Sequence, residues 1–195
     1  YQARAGDVTV HLGERNRITF HDPVVEDWDV TLADTGDLTQ TGGRIARASR
    51  YLAPDDDNFF LTYGDGLANV DIRGSLAAHR RAGSALTITA VHPSGRFGEM
   101  KLDGERVDSF HEKPQTERGL INGGFMVVSR RFVAGYLKGG DQEPLEDAPI
   151  RTAVADGVVN SWVHEGFWQC MDTPREHGLL NTLWASGQAP WTERW

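Results

Sequence analysis

Asn58–Tyr63 (NFFLTY), Asp71–Gly83 (DIRGSLAAHRRAG) and Ala85–Val91 (ALTITAV) are the stretches that decide the fold class. The first is short, almost wholly apolar and stopped by Gly64, which suits a strand covered on both faces. The second opens on Asp71, a residue whose carboxylate can accept an orphan amide of a helix start, and closes on Gly83, a helix terminator, so a helix is predicted over Ile72–Ala82. The third is again an apolar, β-branched run that reads as a buried strand. Strand, helix and strand in that order make a βαβ unit, and the chain is expected to be an α/β protein.

Working outward from that unit, Val8–Leu12 and Ile18–His21 read as strand pieces. Trp28–Ala33 (WDVTLA) alternates apolar and polar side chains, as a half-buried strand does. Asp34–Gly43 is a loop by composition, followed by a short helix over Arg44–Tyr51. On the other side, Glu99–Leu102 and Arg106–Phe110 flank Asp103-Gly104, a hairpin turn signal. Leu120–Val128 contains a strand interrupted by Asn122-Gly123-Gly124. Helices are predicted over Ser129–Leu137 and Leu145–Ala155, and a strand over Val158–His164. Thr173-Pro174-Arg175-Glu176 has a capping residue, a proline in the first turn and the glutamate of a capping box, so a helix begins there and runs to about Ala185. Trp184, Trp191 and Trp195 form an aromatic tail expected to pack on the body or on a partner chain. No linker or repeat divides residues 1–195, which are expected to form a single domain.

Composition excludes several function classes. The chain has 195 residues, 39% of them hydrophobic and 25% charged, with a net charge of -8. That balance suits a globular protein and opposes broad adhesion to nucleic acid or anionic membrane, both of which need basic surface. No apolar run is long enough to span a bilayer. The single cysteine, Cys170, and the lack of an export signal in Tyr1–Gly6 lead to the expectation of a cytoplasmic protein. There is no zinc-type cysteine and histidine spacing, no Walker A loop, no G-x-G-x-x-G fingerprint and no G-x-S-x-G elbow.

A few residues stand where chemistry could occur. Asp65 follows the strand Asn58–Tyr63 and lies between Gly64 and Gly66. In open α/β sheets ligands bind beyond the carboxyl ends of strands, and a carboxylate there can hold Mg²⁺; the competing reading is a simple Gly-Asp-Gly turn. Asp172 lies between the strand Val158–His164 and the capped helix, where it could share that metal or only favour the helix dipole. In Phe110-His111-Glu112-Lys113-Pro114, the proline keeps Lys113 out of the helical region. Glu112 could accept sugar hydroxyls and Lys113 could neutralise a phosphate, or the two could form a surface ion-pair turn. Asn122 can donate and accept hydrogen bonds to a sugar, with Gly123 clearing space, or the segment could be a β-bulge. Thr41-Gly42-Gly43-Arg44 could approach a base or phosphate with its backbone, or serve as a helix-entry loop. Cys170 has no evident histidine partner and reads as an idle thiol.

Taken in order, these pieces resemble the glucose-1-phosphate cytidylyltransferases. The resemblance runs through Trp28–Asp37 (WDVTLADTGD), Thr41–Arg44 (TGGR), Thr62–Gly66 (TYGDG), Arg96-Phe97-Gly98, Phe110–Pro114 (FHEKP), Ile121–Phe125 (INGGF), Gly166–Thr173 (GFWQCMDT) and Gly187–Trp191 (GQAPW). It implies a nucleotidyltransferase fold of the GT-A-like type, a Rossmann-like mixed sheet in a three-layer α/β/α arrangement. It implies the reaction of CTP with α-D-glucose 1-phosphate, giving CDP-glucose and pyrophosphate for deoxysugar and surface polysaccharide synthesis, in a homo-oligomer. Carried over by motif, Asp65 and Asp172 would be the Mg²⁺ ligands, and Lys113 would act with them in catalysis. Glu112, Lys113, Asn122 and Gly123 would hold the sugar phosphate; Thr35, Gly36, Thr41 and Gly42 would lie near the base, and Gly64 would border the site.

Two departures accompany the resemblance. The family pattern opens with a strand, a G-G-x-G-T-R loop and a Lys-Pro segment, and none of these occurs in the sequence. An upstream stretch is therefore expected, because the first strand of such a sheet is central and its absence would leave an exposed edge. Cys170 stands where the family pattern has proline. The competing assignments are a sugar nucleotidyltransferase of other base or sugar specificity, and a non-catalytic domain that keeps only the sugar-phosphate half of the site.

Overall fold

The computed structural model describes residues 7–11, 17–21, 28–93, 99–103, 106–111 and 119–192. They fall into two compact units, Tyr1–Asp34 and Thr35–Trp195. In the first, β1 (Asp7–His11) pairs antiparallel with β2 (Arg17–His21), matching the expected strand pieces. Trp28–Ala33, expected as a half-buried strand, has no regular structure. Leu32 is 92% exposed, and among the described residues no strand pairs with this segment. Alternation alone does not make a strand, because its amides and carbonyls need a partner ladder.

The second unit is built on a four-stranded mixed sheet in the order β3-β8-β5-β9, with β3 Asn58–Thr62, β5 Leu86–Val91, β8 Ile121–Ser129 and β9 Val159–His164. β5 and β9 are parallel neighbours, while β8 runs antiparallel to both β3 and β5. The βαβ unit read from the sequence is present, but its two strands are not adjacent: β8 is inserted between them. Its helix, α2 (Ile72–Ala82), keeps the predicted bounds. The Asp71 carboxylate accepts the Gly74 amide at 2.8 Å, and Gly83 closes the helix at φ 61°.

Side-chain alternation gives the sheet two covered faces. Phe59, Leu61, Leu86, Ile88, Met126 and Val128 share a core with Phe132 and Val133 of α3 (Arg130–Tyr136), Ile150 and Ala153 of α4 (Ala148–Ala155), and Ile45 and Ala46 of α1 (Thr41–Ala48). Thr87 and Asn58 face the other way, onto buried His79 of α2, whose ring nitrogens bond them at 2.9 and 3.0 Å. Helices therefore cover both faces, in the expected three-layer α/β/α arrangement.

Two helix starts differ from expectation. α1 begins at Thr41, so the T-G-G-R stretch is its first turn and not a loop. Its first amides find tertiary acceptors, Gln40 N–H on Asp141 O at 2.7 Å and Gly42 N–H on Glu143 O at 2.9 Å, and these satisfy groups a helix start leaves orphaned. α4 begins at Ala148 and not at Leu145, because Pro149 belongs in a first turn.

Two short antiparallel pairs complete the unit. β6 (Glu99–Asp103) pairs with β7 (Arg106–His111), as the hairpin reading expected. β4 (Gly66–Ala68) pairs with β10 (Trp168–Cys170), which brings together segments far apart in sequence. Among the described residues no helix is long and apolar enough to cross a membrane.

Candidate active site

The β4–β10 ribbon is what assembles the site. Cys170 pairs with Gly66, and Met171 N–H donates to Asp65 O at 2.8 Å, so the residues just outside the ribbon, Asp65 and Asp172, are carried to the rim of one cavity. The cavity measures about 280 Å³ and is lined by Tyr63, Asp65, Asn122, Gly123, Gly124, Trp168, Cys170 and Asp172 among others. It opens beyond the C-terminal end of β3, where the sequence reading placed ligand chemistry.

The floor of the cavity is a bulge in β8. On β5 the partner of Met126 is Ile88 and that of Asn122 is Ala90, so β8 spends extra residues between these pairings. The strand interruption expected at Asn122-Gly123-Gly124 is this bulge. Both glycines are required by contacts. A Cβ on Gly123 would sit 2.7 Å from Val91 Cγ1, and Gly124 has φ +78° with the Tyr63 ring lying where a Cβ would go. The Trp168 indole N–H donates to Gly123 O at 2.7 Å, which ties the bulge to β10.

The opposite wall is fixed by α5 (Pro174–Ala185) and its capping box. Glu176 Oε2 accepts from the amides of both Asp172 and Thr173 at 2.9 Å, so the box that starts the helix also holds the Asp172 backbone. The Thr173 hydroxyl accepts the Glu176 amide at 3.3 Å. Beside them, burial and then the hydrogen bond and charge of Asp172 push the Cys170 thiol up, which keeps it protonated and un-nucleophilic, as the sequence reading supposed.

Residues 11–168 match the profile of the nucleotidyl transferase family. The chain is 42% identical over 191 residues to the glucose-1-phosphate cytidylyltransferase of Salmonella typhi, covering 98% of this chain and 73% of that one. The enzyme of the same name from Salmonella typhimurium matches with the same identity and coverage. The chain belongs to the nucleotidyl transferase family, among the glucose-1-phosphate cytidylyltransferases. Its fold also resembles the crystal structure of HddC from Yersinia pseudotuberculosis complexed with GMP-PN, with a TM-score of 0.52 and 21% identity over 73% of this chain and 61% of that one.

In this nucleotidyl transferase the cavity brings together Asp65, Asp172, Asn122 and Gly123 from the sequence-derived set. Glu112 and Lys113 lie outside the described residues. Thr35, Gly36, Thr41 and Gly42 gather at α1 and do not line the cavity. Arg44 donates to Thr35 Oγ1 at 2.9 Å and Arg47 to Thr35 O at 2.8 Å, which folds the Thr35-Gly36 turn onto the helix. Gly42 is buried, and a Cβ there would meet Glu143 O at 2.6 Å, so packing alone demands this glycine. Gly64 is exposed in the β3–β4 turn.

The carboxylates of Asp65 and Asp172 are exposed on the cavity rim, and hard oxygen donors of this kind fit Mg²⁺. Ligand atoms of Cys170, Asp172 and Glu176 also lie within 4.8 Å of one another. Of these, Glu176 Oε2 accepts the amides of Asp172 and Thr173, and Asp172 is the exposed one of the three.

Three residues of the site escaped the sequence reading. Tyr63 counted as the end of an apolar strand and as part of the T-Y-G-D-G motif, with no role given to its hydroxyl, although that hydroxyl, two residues before Asp65, was the available signal. Trp168 was given no role of its own beyond the G-F-W-Q-C-M-D-T motif. Glu146, which does not line the cavity but accepts the hydrogen bond of the Tyr63 hydroxyl, carried no signal, since it lies 83 residues beyond Tyr63. Of the aromatic tail, Trp191 packs on Phe167 with ring centroids 5.5 Å apart, Trp184 is exposed, and Trp195 lies outside the described residues.

Proposed function

We propose that this protein transfers the cytidylyl group of CTP to α-D-glucose 1-phosphate, releasing pyrophosphate and forming CDP-glucose. The observation that carries this reading is the 42% identity over 191 residues to relatives named for that reaction. The cavity supports it, because the exposed carboxylates of Asp65 and Asp172 on its rim are hard donors that would hold the Mg²⁺ two anionic substrates need.

In the proposed reaction a phosphate oxygen of glucose 1-phosphate attacks the α-phosphorus of CTP. A new P–O bond forms on one side while the bond to the pyrophosphate bridging oxygen breaks on the other, and pyrophosphate leaves with the electron pair. The nucleophile is already anionic, so no serine, cysteine or general base is required. What the site supplies is alignment and neutralisation of charge. Asp65 and Asp172 would hold Mg²⁺, which when bound supplies positive charge to the phosphates. Lys113 adds a cation on the sugar-phosphate side, and Glu112 and the Asn122 carboxamide take the sugar hydroxyls. Gly123 presents no side chain, so the sugar can lie close to the bulge. Thr35, Gly36, Thr41 and Gly42 form the base side, with Gly64 at the border. The same reading makes the protein a cytoplasmic homo-oligomer whose product serves deoxysugar and polysaccharide synthesis.

The test is pyrophosphate release by the purified protein with Mg²⁺, glucose 1-phosphate and each of CTP, UTP, GTP and dTTP in turn. Release that prefers CTP and collapses in Asp65→Asn is the expected result. Equal release with all four nucleotides would refute the cytidine assignment, and no release with any of them would refute the reaction.

A further inference from the structure

A second cavity lies at the opposite end of β3 from the catalytic one. Asn58 opens β3, Ser84 precedes β5 and Ser129 ends β8, and with Arg80, Arg130 and Arg131 they line a concavity of about 510 Å³. Its side chains are rich in donors. The Asn58 carbonyl accepts His79 Nε2–H at 3.0 Å, so the Asn58 amide N–H groups remain for a ligand. Ser84 is only 9% exposed, yet its hydroxyl has no partner among the described residues and is not sealed from solvent, so it opens onto the cavity.

The three guanidinium groups are held to different degrees. Arg130 Nε donates to Asp56 O at 2.7 Å and its Nη2 to Ala53 O, which ties it to the loop before β3. Arg131 Nη2 donates to Gly83 O, at the carbonyl end of α2. That bond offsets the partial negative charge a helix C-terminus would otherwise present to an anion, and it leaves the other Arg131 donors unused. Arg80 is exposed, and its guanidinium meets no acceptor among the described residues. One carboxylate, Asp57, also lines the cavity, but no ion pair joins it to any of these arginines. Three cations against one acid is a local reversal in a chain of net charge -8. Buried His79 feels it: after burial, the positive charges of Arg131 and Arg80 push its pKa down.

We propose that this cavity is a second ligand site, separate from the catalytic one, that binds the phosphate group of a small phosphate ester. Arg80 and Arg131 would grip the phosphate oxygens, with the Ser84 hydroxyl and the Asn58 amide as further donors. A carboxylate has two oxygens and one charge, too few for this set. A phosphate monoester brings close to two negative charges and three strong acceptor oxygens, and guanidinium forks match it in pairs. A whole ester suits the space better than a bare ion, because cavities of about 300–1,000 Å³ take entire small molecules. The site does not depend on the proposed reaction.

The test is an NMR titration of the whole protein with ribose 5-phosphate, with inorganic phosphate, and with sodium chloride of equal ionic strength. The backbone amides of Gly83 and Ser84 report this cavity, and those of Asp65 and Gly66 report the catalytic one. Ribose 5-phosphate should shift the Gly83 and Ser84 signals saturably and bind more tightly than inorganic phosphate, while chloride should leave them in place. Arg80→Gln removes an exposed side chain that has no partner to lose, so the fold is kept, and the affinity should fall about tenfold or more, the worth of a charged hydrogen bond. Asp65→Asn should leave the affinity unchanged.

No saturable shift at Gly83 and Ser84, or an equal shift with chloride, would overturn the proposal. So would wild-type affinity in Arg80→Gln, or a response that vanishes in Asp65→Asn. Inorganic phosphate binding as tightly as the ester would show an adventitious ion only, and would overturn it too. A protein that shows the expected shifts but makes no CDP-glucose keeps this site and loses the proposed reaction.

Discussion

Replacing Gly123 by alanine tests whether the β8 bulge sets the floor of the site. The new Cβ would fall 2.7 Å from Val91 Cγ1, 3.2 Å from Val91 Cγ2 and 3.2 Å from Thr89 O. Val91 is 1% exposed and has no room to rotate away, so β5 and β8 must separate or the bulge must shift. Overpacking of this kind costs about 1–3 kcal/mol. The Trp168 indole bond to Gly123 O would be disturbed by the same shift, so the KM for glucose 1-phosphate should rise with the loss of stability. Urea denaturation gives the first quantity and initial rates the second. The cause is isolated by adding Val91→Ala, which alone costs about 1.5 kcal/mol for two lost methyl groups. If the clash is the cause, the double variant should be more stable than the sum of the single effects by about 1 kcal/mol or more. Additive effects, or a Gly123→Ala protein with unchanged midpoint and KM, would refute the reasoning.

Gly42→Ala should destabilise by about 1–2 kcal/mol in urea, because the Cβ would meet the Glu143 carbonyl at 2.6 Å and this outweighs a helix-propensity gain of about 1 kcal/mol. Thr173→Ala should cost about 1 kcal/mol through the lost cap, and Glu176→Ala should lower activity as well as stability because it also releases the Asp172 amide. Asp172→Asn should reduce turnover on the order of 10²- to 10³-fold with little change in melting temperature. The pH dependence has a defined sign at His79, which is 2% exposed and whose pKa is lowered by burial and then by Arg131 and Arg80. Below its ordinary value of 6.5 the unfolded chain takes up a proton that the folded chain refuses. Its contribution is thus full above that pH and declines, by up to about 1.4 kcal/mol per pH unit, as pH falls toward the folded-state value. Urea midpoints measured from about pH 5 to 7.5 should show a shallower slope in His79→Gln.

What was legible in the sequence was what local chemistry decides. Asp71 and Gly83 bound α2, and Thr173, Pro174 and Glu176 start α5, because caps act within a few residues. Asp65 and Asp172 could be placed at one site because each follows a strand, and the β4–β10 ribbon then joins them. What failed depended on distant partners. Trp28–Ala33 alternates like a strand, but alternation does not supply a neighbouring ladder. The start of α1 is set by carbonyls of residues 141 and 143, about a hundred positions away along the chain. The insertion of β8 between β3 and β5 is a matter of topology that no local pattern encodes. Tyr63 and Glu146 meet across 83 residues, so their hydrogen bond was invisible until the fold placed them together.

The central claim is cytidylyl transfer at the Asp65–Asp172 cavity, and the most direct measurement is product identification in competition. The purified protein is given Mg²⁺, glucose 1-phosphate and equal CTP, UTP, GTP and dTTP in one vessel, and the nucleotide sugars are identified by ³¹P NMR and mass. The account predicts CDP-glucose as the dominant product, lost in both Asp65→Asn and Asp172→Asn. A different nucleotide sugar, or CDP-glucose formed undiminished by either variant, would contradict it.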